Sequence, residues 1–235
     1  MTDLPIPFSP AMARAAYDGR KGQTRRMPKI CGHKTISEFG KSDTPGYDWH
    51  FRDAQLRWHD ISHNDLLARL PYQVGDRLWV REAWRTCSQM DVIPPREMSP
   101  YEPIRYEADG FIRELACMMI KPGRFRPPMF MPRWASRMTL IVTDVRVQRL
   151  QEISEQDAIA EGVEPYSGID PYCSGYLNYR NDSEDGHWLT AQNSFRSLWD
   201  SLNEARGFGW DANPWVAAYS FTVHRCNIDQ MEIAA

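Results

Sequence analysis

The hydrophobic pattern of this chain is periodic only in places, and those places predict its elements. Leu4-Pro5-Ile6-Pro7-Phe8 reads as extended, and Ser9-Pro10 then supplies an N-cap and a first-turn proline for a helix to about Asp18. Met12, Ala15 and Ala16 give that helix an apolar face, and Gly19 closes it. Thr24 to Met27 predicts the next strand. Leu78 to Trp84 predicts another, with Leu78, Val80 and Glu82 on one face and Trp79, Arg81 and Ala83 on the other. Ile104 to Ala108 suits a short strand ending at the turn pair Asp109-Gly110. The longest β signal runs from Ser136 to Leu150, and its alternating second half marks one wet face. Ser154 caps a short helix that Gly162 ends, with Asp157 at the third position in an imperfect capping box. Phe195, Leu198, Trp199 and Leu202 recur at helical spacing within Ala191 to Asn203, and Pro214 to Val223 predicts a closing strand.

Two stretches lack a sustained period. Residues 28–70 are polar and aromatic, helical in part from Asp53 to Leu70, and residues 163–188 are rich in Gly, Pro, Asn, Asp and Tyr; both read as insertions in a single domain spanning 1–235. Lys121 to Pro132, rich in Pro and Arg, is expected to wrap the surface without regular structure. Short strands interrupted by about three helices, with the first and last strands near the termini, predict an α+β fold. A small closed β-barrel of about five to seven strands would leave them no open edge.

Composition narrows the class. The 235 residues are 42% hydrophobic and 25% charged, with no apolar run near the roughly 20 residues of a membrane span, so a cytoplasmic protein with no membrane partner is expected. Five scattered cysteines without a C-x-x-C pair fit reduced thiols. The net charge of −3 is unevenly spread: residues 1–30 hold six Lys or Arg against two acids, while residues 152–211 hold twelve acids against three bases. No Gly-rich phosphate loop, G-x-S-x-G elbow or H-E-x-x-H occurs, which leaves nucleotide hydrolysis, an α/β-hydrolase site and a zincin site unsupported. His59 and His63, four apart, with Cys31 and His33, raise zinc, but no second spaced pair completes a tetrahedral set. The expectation is no metal and no cofactor.

The chemistry concentrates in Gly19-Arg20-Lys21-Gly22-Gln23-Thr24-Arg25-Arg26. A lysine and a hydroxyl that converge across a turn form a nucleophile and base pair, and Arg20, Arg25 and Arg26 both favour the neutral amine and attract anions. Arg124-Phe125-Arg126 and Arg133-Trp134 with Arg137 interleave cations and aromatic planes, the mixture that holds single-stranded nucleic acid.

Four motifs together resemble the ASCH domain family. They are Gly19-Arg20-Lys21-x-x-Thr24-x-Arg26, Val74-Gly75-Asp76-Arg77-Leu78-Trp79-Val80-Arg81-Glu82, Pro132-Arg133-Trp134-Ala135-Ser136-Arg137, and Ile153-Ser154-Glu155-x-x-Ala158-x-x-Glu161-Gly162. More narrowly, the chain looks like the phage and prophage ASCH proteins labelled morphogenetic. The resemblance implies a PUA-like barrel and binding of RNA or a modified nucleoside. It also implies an amidohydrolase acting on N-acetylcytidine, in which Thr24 attacks the amide carbonyl, Lys21 accepts its proton and Glu161 orients the lysine or the base. Arg20, Arg25, Arg26, Arg133, Trp134 and Arg137 would then bind substrate. Other ASCH proteins are described as ribonucleases or as RNA binders without catalysis, and these stand as the alternatives.

Overall fold

The computed structural model describes residues 1–33, 35–166, 175–180 and 187–231. In chain order the elements are β1 (Asp3–Pro7), α1 (Pro10–Tyr17), β2 (Gln23–Arg26), β3 (Ile36–Lys41), β4 (Trp49–Asp53), β5 (Trp58–Ile61), α2 (His63–Arg69), β6 (Arg77–Arg81), β7 (Trp84–Arg85), β8 (Ile104–Tyr106), β9 (Ile112–Arg113), β10 (Thr139–Arg149), α3 (Glu155–Ala160), β11 (Tyr176–Leu177), β12 (His187–Trp188), α4 (Ala191–Asn203) and β13 (Trp215–His224). The fold is α+β, and the described residues hold one five-stranded sheet in the order β1-β6-β10-β13-β2, two three-stranded sheets and one two-stranded sheet. No closed barrel is detected among the described residues. Among the described residues no helix is long and apolar enough to cross a membrane. The chain divides into two compact units: Met1–Gly22, Gly75–Ile141 and Phe221–Ala235 form one, and Gln23–Val74 with Val142–Ser220 form the other.

In the first unit, β1 runs parallel to β6 and the start of β10 runs antiparallel to it, with Leu4 opposite Leu78 and Leu140 also opposite Leu78. Leu78, Trp79 and Val80 are all buried, so β6 is covered on both faces. α1 forms as its caps dictate: Ser9 accepts from the Met12 amide, and Pro10 presets the first turn. Met12, Ala13, Ala15 and Ala16 bury its inner face. Gly19, at φ +81, turns the chain so that the amides of Arg20 and Lys21 both donate to the Ala15 carbonyl, which fixes where Lys21 begins. Trp84, Met98, Ile104, Tyr106, Met131 and Ala135 make a second core in this unit.

The run 121–132 is not wholly on the surface. Arg126 is buried, lies over the Trp84 ring at 5.4 Å and donates to the Met90 carbonyl, because Trp84 and Arg126 bridge as isolated strand partners. Met131 is buried as expected of a packing residue, whereas Met129 is exposed.

In the second unit the stretch read as the first insertion is structured. β3, β4 and β5 form an antiparallel sheet, and α2 follows it. Ile30, Trp49, Phe51, Ile61 and Leu66 pack as its core. Trp49 stacks on Phe39 at 5.3 Å and meets Trp215 edge-on at 4.8 Å, geometry that adds roughly 0.5–1.5 kcal/mol per pair beyond area burial. A further core joins Leu150, Ile153, Ala158, Val163, Ala191, Phe195, Trp199 and Val216. Part of the second stretch read as an insertion lies outside the described residues, as does Cys173; the other four cysteines are free.

Candidate active site

In the second unit, α3 and β2 build a buried ionic cluster. Ser154 accepts from the Asp157 amide at 3.0 Å and starts α3, while Ala158 anchors the helix in the apolar core. Glu161 caps the C-terminal end and Gly162, at φ +85, ends it. Asp157 and Glu161 are four apart and therefore share one helix face. Asp157 does not complete the capping box, because its carboxylate turns to β2 instead.

β2 pairs antiparallel with β13, Thr24 opposite Tyr219 and Arg25 opposite Ala218. Strand alternation gives Gln23 and Arg25 one face and Thr24 and Arg26 the other. Arg25, with no side-chain exposure, donates to Glu161 Oε1 at 3.0 Å and to Asp157 Oδ2 at 3.0 Å. Gln23 Nε2 donates to Asp157 Oδ1 at 3.2 Å and to Ser220 Oγ at 3.0 Å. Glu161 also acts on the other face: burial pushes the Arg26 guanidinium below its ordinary value, and the charge of Glu161 is among the influences that pull it back. Thr24 itself is buried.

Burial pushes the Asp157 carboxyl up, but the charges of Arg25 and Arg146 and the hydrogen bond from Gln23 outweigh it and hold the group below its ordinary value. Hydrogen bonds from Arg77 and Arg133 hold Asp3 low as well. A depressed folded pKa contributes stability that is complete above the unfolded value and is lost as pH falls through the folded one. The melting temperature is therefore expected to hold from pH 7 to about pH 5 and to fall steeply below about pH 4. Asp157→Asn should make that acid limb shallower, which a pH series of thermal melts reads directly.

The first unit holds the remaining residues of the sequence-based set. Lys21 is 2% exposed and its Nζ lies 5.5 Å from the Phe8 ring centroid. Arg20 meets Asp18 at 3.4 Å. Arg133 is bonded to Asp3 at 2.7 Å and to Asp229, and Trp134 packs against the Trp84 core with Arg113 over its ring at 5.4 Å. Arg137 makes a two-pronged bond to Glu82 at 2.8 and 2.9 Å and a third to Asp109 at 2.8 Å. Glu82 thus pairs with Arg137, and the Arg81 guanidinium lies 4.4 Å from the Trp79 ring.

No family model, curated protein or solved structure matches this chain. The site is read from its own residues. Sequence reasoning missed the parts of Gln23 and Asp157, and for Arg25, named as a substrate-binding residue, the structure shows a covered side chain bonded to Glu161 and Asp157. The available signal was the pairing of an unfinished capping box with three consecutive polar positions in a strand.

Proposed function

We propose that this protein is an ASCH-type, PUA-like barrel protein that binds RNA or a modified nucleoside and hydrolyses an acyl amide on the base, as in N-acetylcytidine. The observation that carries this reading is burial: Lys21, Thr24 and Glu161 are 2%, 6% and 3% exposed, although none is apolar. An amine, an alcohol and an acid withdrawn from water in one short stretch and the helix end beside it are candidates for chemistry, because functional sites are where such groups are buried. In the reaction, Thr24 Oγ bonds the acetyl carbon as the carbon–nitrogen bond breaks. By the ASCH resemblance, Lys21 is the group that takes the threonine proton and passes it to the leaving amine, and water then cleaves the acetyl ester to acetate. Glu161 orients the lysine or the base, and Arg25 fixes the position of Glu161.

A second reading, a non-catalytic RNA-binding module of phage origin, is favoured by the first unit. Phe111, Phe125 and Phe130 are exposed there, as is Arg124, and exposed aromatic rings and cations are the side chains on which bases stack.

Purified protein incubated with N-acetylcytidine should release cytidine and acetate, measured by chromatography and mass spectrometry. Thr24→Ala should lower that rate by at least about tenfold, equivalent to about 1.4 kcal/mol of barrier. Absence of turnover together with RNA affinity that falls steeply with salt would select the binding module.

A further inference from the structure

Three side chains that the proposed chemistry does not use meet at the tip of the β4–β5 hairpin. Asp53 ends β4 with its carboxylate buried. Its Oδ1 accepts from the amides of Gln55 at 2.9 Å and Arg57 at 3.0 Å, which pins the tight loop in which Leu56 adopts φ +62. Its Oδ2 lies 2.9 Å from His59 Nε2 and accepts from Arg57 Nε at 2.9 Å. His33, in the turn after Ile30, brings its ring to 5.0 Å from that of His59, and both imidazoles pack on the buried Phe51 ring, at 4.8 and 4.9 Å. One ligand atom from each of His33, Asp53 and His59 lies within 4.8 Å of the others.

We propose that His33, Asp53 and His59 form a binding site for a divalent transition ion of the zinc class. His59 Nε2, Asp53 Oδ2 and one ring nitrogen of His33 are the ligands. The residue types are the borderline donors such ions take, and bonds of about 2.0–2.2 Å to a common centre place tetrahedral ligands about 3.3 Å apart, so the cluster closes around an ion by small side-chain shifts. The ion takes the place of the proton between His59 and Asp53, which passes to solvent.

The surroundings fit the role. Arg57 and the two loop amides hold the carboxylate as outer partners that orient a ligand. Both imidazoles are partly exposed, which gives the ion a way in and leaves a coordination position to water. This is not the set that sequence spacing raised. His59 lies in β5 and His63 starts α2, where its Nδ1 accepts from Trp49 Nε1 at 3.2 Å, and Cys31 is exposed outside the cluster. The ion would tie the turn at His33 to the hairpin, independently of any reaction at Thr24.

The test is calorimetric titration of the chelator-stripped full chain with ZnCl2 and, separately, NiCl2. One equivalent should bind saturably. His33→Ala and His59→Ala should each weaken binding by at least about tenfold, the double variant should abolish it, and Cys31→Ser should leave it unchanged. Asp53 is left intact because it pins the loop, and circular dichroism of each metal-free variant checks the fold. If His59→Ala unfolds, His33→Ala alone carries the comparison. Cobalt-loaded protein should show visible ligand-field bands without a thiolate charge-transfer band. Failure to saturate, binding that survives the double variant, or binding lost in Cys31→Ser would each overturn the site.

Discussion

Arg137→Ala is expected to lower the free energy of unfolding by about 3–5 kcal/mol, the cost of stripping a buried ion pair of one partner. The guanidinium spans Glu82 and Asp109 and is flanked by the rings of Tyr106 at 4.0 Å and Tyr17 at 4.5 Å. Burial alone lowers its pKa, yet the hydrogen bonds to Glu82 and Asp109 hold it above its ordinary value. Glu82 bears the opposite strain: burial pushes its carboxyl up, and Arg137 pulls it back only in part. Without Arg137 that pull is gone and the acid is left 1% exposed with its main counter-charge removed. A raised folded pKa loses its stability contribution as pH rises, so the deficit should be larger at pH 7 than at pH 5. Arg137→Lys should recover only part, since an ammonium cannot make the two-pronged bond. Urea unfolding of the wild type, Arg137→Met, Glu82→Gln and the double variant gives the coupling energy. A loss under about 1 kcal/mol, as for exposed ion pairs, would show that the cluster is not sealed from solvent.

Much of the framework was legible because local signals decide it. Ser9-Pro10, Ser154 and Gly162 act through backbone geometry within a few residues, and α1 and α3 fall where those residues put them. α4 follows the apolar spacing, with Phe195, Leu198 and Trp199 buried, although Leu202 faces out near the helix end. β3 to β5 were not legible. Their inner positions are aromatic, and Trp49 and Phe51 alternate with His50 and Arg52 over too few residues to separate from a loop. The sheet exists because non-local partners such as Trp215 cover it. The same limit hid the Arg25 cluster. Sequence shows that Arg25 is basic, but its acceptors lie 132 and 136 positions away, and only the fold decides whether the charge faces solvent or acid.

Arg25→Met is the second large effect, again about 3–5 kcal/mol. Arg25 stands between two carboxylates one helical turn apart, with its guanidinium 5.8 Å from the Phe195 ring. Removing it leaves Asp157 and Glu161 as like charges on one face of α3, a repulsion that water screens poorly because Glu161 is almost fully covered. Asp157 would lose the counter-charge that most depresses its carboxyl, so the acid limb of the stability profile should shift upward in pH. Adding Asp157→Asn to Arg25→Met removes one of the two repelling charges and should restore part of the loss, whereas Asp157→Asn alone in wild type should destabilise. That opposite sign separates a charge-pairing role from simple packing: if Met fills the space and the double variant gains nothing, Arg25 acts by its bulk. If the proposed amide hydrolysis holds, Arg25→Met should also reduce cytidine release at a temperature where the variant stays folded, without touching Thr24, because Glu161 would no longer be held by its partner on β2.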